Sequence, residues 1–124
     1  MSILRNALQA AASSLEALPE TPGWQRQYVF AASSAVFAGH FPEHPVLPGM
    51  AQILMAQMTL EEALGGPLSL CSIVQAKFTA PVEPDALIEL RVRQGGRAGL
   101  WDCVLHCAGR PAARFHIETR PEAV

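Results

Sequence analysis

One histidine of this chain stands in a setting suited to proton transfer. Ala38-Gly39-His40-Phe41-Pro42 runs on through Glu43-His44-Pro45-Val46-Leu47 to Pro48-Gly49 and an apolar segment. Imidazole titrates near neutral pH, so His40 suits acid–base work. A helix starting at Gly49 offers unpaired N–H groups and the positive end of its dipole. Gly49 and Met50 are therefore candidates for stabilising a developing oxyanion. Glycine also lets a ligand approach the backbone closely. Phe41, Val46, Leu47 and Leu54 would supply apolar walls, and Gln52 and Gln57 are polar side chains on the same helix. The chemistry implied is removal of a weakly acidic proton, with the resulting charge held on a neighbouring oxygen.

Such a constellation needs a scaffold. The three prolines Pro42, Pro45 and Pro48 exclude a regular element, because proline fixes φ, removes a donor and restricts its predecessor. The same prolines exclude a helical metal pair from His40 and His44, and no metal is expected. Residues 49–64 read as a central helix that is apolar nearly all round and so buried on several sides. Met50, Met55 and Met58 read as gap-filling core or channel lining. Residues 3–18 carry a helical rhythm ending at Pro19, which predicts an N-terminal helix over 1–19. Trp24–Ala32 and Leu70–Phe78 read as strands. In 86–93, Ile88, Leu90 and Val92 alternate with Leu87, Glu89, Arg91 and Arg93. That run, with 100–107 and 112–118, predicts an antiparallel meander closed by short turns. The expected class is α+β: a curved antiparallel sheet around one central helix, with an extra N-terminal helix, in one domain over 1–124.

Bulk properties narrow the partners. The 124 residues carry a formal net charge of -2, which gives no basic excess for nucleic acid. The apolar run at 50–64 is interrupted by Gln52, Gln57, Thr59, Glu61 and Glu62 and predicts no membrane span. The start of the chain lacks the pattern of a secretory signal. Cys71, Cys103 and Cys107 form no disulfide framework and read as small buried hydrophobes in a reducing compartment, so a cytoplasmic location is expected. One helix cannot cover such a sheet, so a partner chain is expected. His106 and His116 read as surface positions. Arg91, Arg93, Arg97, Arg110 and Arg114 read as a solvated face that could meet an acidic carrier or a phosphate.

The His40 segment, with Val46-Leu47-Pro48-Gly49 after it, resembles the signature of the FabZ/FabA-type 3-hydroxyacyl-acyl-carrier-protein dehydratases of the hot-dog fold. Gln75-Ala76-Lys77-Phe78, Pro81-Val82 and Pro84-Asp85 are similar to a second family segment, so that the resemblance runs over 28–119. It implies dehydration of a 3-hydroxyacyl thioester, on acyl carrier protein or coenzyme A, to the trans-2-enoyl thioester in fatty acid or related lipid or polyene biosynthesis. No cofactor is implied. It also implies a homodimer, possible higher assembly, and two sites at the dimer interface. His40 would take the α-proton, and the helix start at Gly49 and Met50 would bind the thioester oxygen.

The chain departs from that pattern. The family's helix carboxylate falls at Leu54, and the family glutamine falls at Met58, one residue past Gln57. Gln52 is similar to a branch of smaller FabZ-like proteins linked to aryl-polyene synthesis. Glu61 is seven residues beyond Leu54, about 10 Å along the axis, and too distant to replace the acid. Glu43 and His44 flank the motif and could approach the site in a bent loop. The family's two arginines after the phenylalanine are here Thr79 and Ala80. Two other functions stand beside dehydration: a non-catalytic acyl-thioester-binding subunit, which the missing carboxylate favours, and a hot-dog thioesterase, which would want a carboxylate near the helix that Leu54 does not supply.

Overall fold

The computed structural model describes residues 2–19, 22–37 and 45–122. The chain runs through helix α1 (Ile3–Ala11), strands β1 (Glu16–Ala17) and β2 (Gly23–Tyr28), a 3-10 turn (Ala35–Phe37) and helix α2 (Gly49–Leu64). Strands β3 (Leu68–Phe78), β4 (Ile88–Gln94), β5 (Leu100–Cys107) and β6 (Arg110–Pro121) follow. The six strands form one antiparallel sheet in the order β1-β2-β4-β5-β6-β3. This is the α+β hot-dog architecture, and β4-β5-β6 is the expected meander. Ile88, Leu90 and Val92 are fully buried, as are Cys103, Leu105, Phe115 and Ile117. The period-two pattern thus delivers one sheet face to α2.

Helix α2 keeps the bounds read from its punctuation. Pro48 is its N-cap, and Gly65 closes it at φ 83° with its N–H donating to Glu61 O. That left-handed conformation is where glycine is the least strained residue. Ala51, Ile53, Met55, Ala56 and Leu60 are buried. The expectation of burial on several sides needs correction for a single chain: Met50 and Leu64 are exposed, and Leu54 and Met58 are half-buried. On β3, Ile73, Val74 and Phe78 are also exposed.

The N-terminal helix is shorter than expected. It ends at Ala11, although the apolar spacing continues to Leu18. The backbone beyond it is drawn to β2. Ala12 bridges Tyr28, Ser13 N–H donates to Gln27 O at 2.8 Å, and Ser13 Oγ accepts from Gln27 N–H at 2.8 Å. Serine competes with the helix in this way. The strand predicted over 24–32 ends at Tyr28 for its part, with Phe30 still buried beyond it. Cys103 is buried and Cys107 half-buried, but Cys71 is exposed, because it lies on the edge strand β3.

Candidate active site

The N-terminal end of α2 is assembled from three segments. Leu47 is buried, and its N–H donates to Val82 O at 2.8 Å, tying the approach to the helix to the chain after β3. Pro48 provides no side-chain cap. The first helical-type bond is Gln52 N–H to Pro48 O at 3.2 Å. Its Nε2 also donates to Leu47 O at 3.2 Å. Gln52 is only 3% exposed, and its Oε1 has no hydrogen-bond partner among the described residues. Beside it lies a cavity of about 280 Å³ lined by Val46, Leu47, Gly49, Gln52 and residues 78–82.

Phe78 reaches this end of the helix because β3 changes phase. Ile73 pairs with Ile117 and Val74 with His116, but Lys77 pairs with Arg114 and Phe78 with Ala113. Gln75 and Ala76 therefore stand opposite one residue of β6, and Gln75 has φ 53°. Partners across an antiparallel pair share a face. The bulge moves Phe78 onto the face of buried Ala113 and leaves Lys77 with exposed Arg114. A Cβ on Gly49 would lie 2.9 Å from Phe78 Cζ, so a larger residue here would have to displace that ring.

Of the residues singled out by sequence, Val46, Leu47, Gly49 and Gln52 come together at this cavity. Met50 follows at the first turn and is exposed. Leu54 is half-buried against the core and does not line the cavity. Gln57 turns away, its Nε2 donating to Leu68 O at 3.0 Å. His40 and Phe41, with Ala38, Gly39, Pro42, Glu43 and His44, lie outside the described residues. Phe78 stands in the second motif, but its place over Gly49 depends on the bulge, which no residue type announces.

The other end of α2 holds the charges. Glu61 Oε1 accepts from Arg5 at 2.9 Å, and its Oε2 accepts from Leu68 N–H at 2.9 Å. Arg26, nearly buried, pairs with Glu62 and donates Nε–H to Ser13 O at 2.9 Å. Thr59 donates to Met55 O at 2.8 Å and lies 3.4 Å from the Tyr28 hydroxyl. Burial pushes the Tyr28 phenol above its ordinary range, against the opposing effects of Thr59 and Arg26. A cleft of about 520 Å³ opens there. Its acidic side chains are committed to structure, so Glu61 is engaged as well as distant.

Comparison with known proteins gives the chain a family and relatives of the same fold. The model of the ApeI-like family, described as ApeI dehydratase, matches residues 19–108. The chain belongs to that family. A 3-hydroxyacyl-[acyl-carrier-protein] dehydratase FabZ from Sulfurimonas denitrificans is 46% identical, over 46% of this chain and 47% of its own. The chain spans about half the length of such relatives. The dehydratase heterocomplex ApeI:P of Xenorhabdus doucetiae is similar in structure, with a TM-score of 0.76 and 25% identity over 87% of this chain and 95% of that one. The (R)-hydratase from A. caviae involved in PHA biosynthesis shares the fold, with a TM-score of 0.66 and 15% identity over 85% of this chain and 98% of that one.

Proposed function

We propose that this ApeI-like chain dehydrates a 3-hydroxyacyl thioester to the trans-2-enoyl thioester, in fatty acid or related lipid or polyene biosynthesis. The observation that carries the reading is the uncapped start of α2 beside a cavity walled by Val46 and Leu47. N–H groups of Gly49 and Met50 would bind the thioester oxygen, where charge develops as the α-proton leaves. His40 takes that proton. The C3–O bond breaks as the C2–C3 double bond forms, and the imidazolium returns the proton to the departing hydroxyl, releasing water. One group thus serves as base and then acid, which suits a chain with Leu54 at the carboxylate position. Phe41, Val46 and Leu47 would line the path of the acyl group.

The carrier is acyl carrier protein or coenzyme A, and the location cytoplasmic. A second copy would cover the half-open side of α2 and exposed Ile73, Val74 and Phe78. The relevant experiment incubates the purified protein with 3-hydroxyacyl thioesters of several lengths and follows loss of water by mass spectrometry. Turnover is expected, with a fall of roughly 10²-fold or more in His40→Ala. Absence of turnover at every length would defeat the reading. It would favour instead a non-catalytic acyl-binding subunit, which the apolar Leu54 independently supports.

A further inference from the structure

The two glutamines of α2 have different commitments. Gln57 is occupied by Leu68 O. The Gln52 amide is oriented by its donation to Leu47 O, so the atom left over is the carbonyl oxygen, which only accepts. That oxygen is buried and without a partner among the described residues. Leaving an acceptor so buried is destabilising relative to a methionine or leucine of similar size. An unmet polar atom of this kind asks for a donor from elsewhere. It belongs to a side chain that lines the cavity at the start of α2, where the N–H groups of the first turn, which have no partner within the helix, are the complementary donors. The site therefore suits a ligand that carries both an acceptor and a donor.

We infer that Gln52 Oε1 accepts a hydrogen bond from the substrate's 3-hydroxyl group, so that the site selects hydroxyacyl over saturated acyl thioesters. The inference rests on the thioester reading above. Within a 3-hydroxyacyl thioester, the carbonyl oxygen is the acceptor and the hydroxyl the nearest donor. The amide N–H beyond the sulfur is the more distant alternative. Gln52 is then a substrate-positioning residue: it orients the hydroxyl and cannot protonate it.

The test is a binding measurement in the His40→Ala chain, where ligand is not consumed. The probes are 3-hydroxyhexanoyl and hexanoyl thioesters of N-acetylcysteamine. The hydroxyacyl probe is expected to bind about tenfold more tightly. Adding Gln52→Met should erase that preference, so that the two probes bind alike. A preference that survives the substitution overturns the inference. So does an equal weakening of both probes, which would assign Oε1 to the amide N–H they share. Gln52→Leu repeats the measurement if the methionine variant does not fold. Failure of both to fold would mean that the amide serves the chain itself, which also overturns it. Turnover of the unaltered chain is read separately. Turnover with no hydroxyl preference keeps the dehydratase reading and removes this inference, and a Gln52-dependent preference without turnover does the reverse.

Discussion

At its C-terminal end, α2 is closed by Gly65, Glu61 serves both Arg5 and the first N–H of β3, and Arg26 holds Glu62 and a backbone carbonyl. At its N-terminal end the N-cap Pro48 offers no side-chain cap, and a buried amide oxygen has no partner among the described residues. The charged end has the larger cleft, at about 520 Å³ against about 280 Å³. Volume alone therefore does not separate a binding site from a structural cleft. A cleft whose ionic groups bond one another mainly holds elements together. A smaller cavity whose polar groups lack internal partners has binding capacity to offer a ligand.

That contrast can be broken from either side. The largest effect is expected at Leu54. A carboxylate there supplies the missing acid, and Leu54→Glu should raise turnover by roughly 10²-fold; unchanged rates across a pH series would show that His40 needs no partner. At the structural end, Glu61→Ala strands Leu68 N–H and frees Arg5. It should cost about 2 kcal/mol in urea unfolding while turnover per folded molecule stays constant. A selective loss of turnover would bring Glu61 into the site.

Smaller effects refine the packing. Gly49→Ala sets a methyl group against the Phe78 ring. It should cost about 1 kcal/mol, largely recovered in Gly49→Ala/Phe78→Ala, as a double-mutant cycle in thermal melts would show. Additive losses would mean that the cost does not come from the ring. The smallest change lies far from both ends. Arg97 bonds Glu118 at 2.9 Å and holds its carboxyl below the usual range. A lowered folded pKa contributes stability above the unfolded value and loses it as pH falls through the folded one. Arg97→Ala should move the Glu118 titration, followed by NMR, back towards an ordinary glutamate and leave activity unaltered.

Much of the scaffold was legible because local signals agreed with tertiary demands. Pro48-Gly49 and Gly65-Gly66-Pro67 bracket α2, and Ile88, Leu90 and Val92 alternate onto the buried face. The overrun of α1 shows the limit of periodicity. Leu15 and Leu18 keep helical spacing, but β2 offers the backbone at Ser13 a better set of partners. The candidate site was legible in which residues gather there more than in their arrangement. Val46, Leu47 and Gly49 were named from the motif, and Gln52 as a glutamine of the helix that follows it. The separation of Gln52 from Gln57 depends on where Leu68 begins β3, and the place of Phe78 depends on a phase change fixed by β6. Neither is written in the spacing of the residues concerned. The expectations for His40 and Phe41 fall on residues outside those described.

The most direct test is an amide NMR titration of the isotopically labelled full chain with a non-reactive saturated acyl thioester. The backbone N–H resonances of Gly49 and Met50 should shift on binding, while those of Gly65, Gly66 and Leu68 stay in place. Shifts confined to the Arg5–Glu61 end, with Gly49 and Met50 unmoved, would contradict the assignment of the start of α2 as the thioester site.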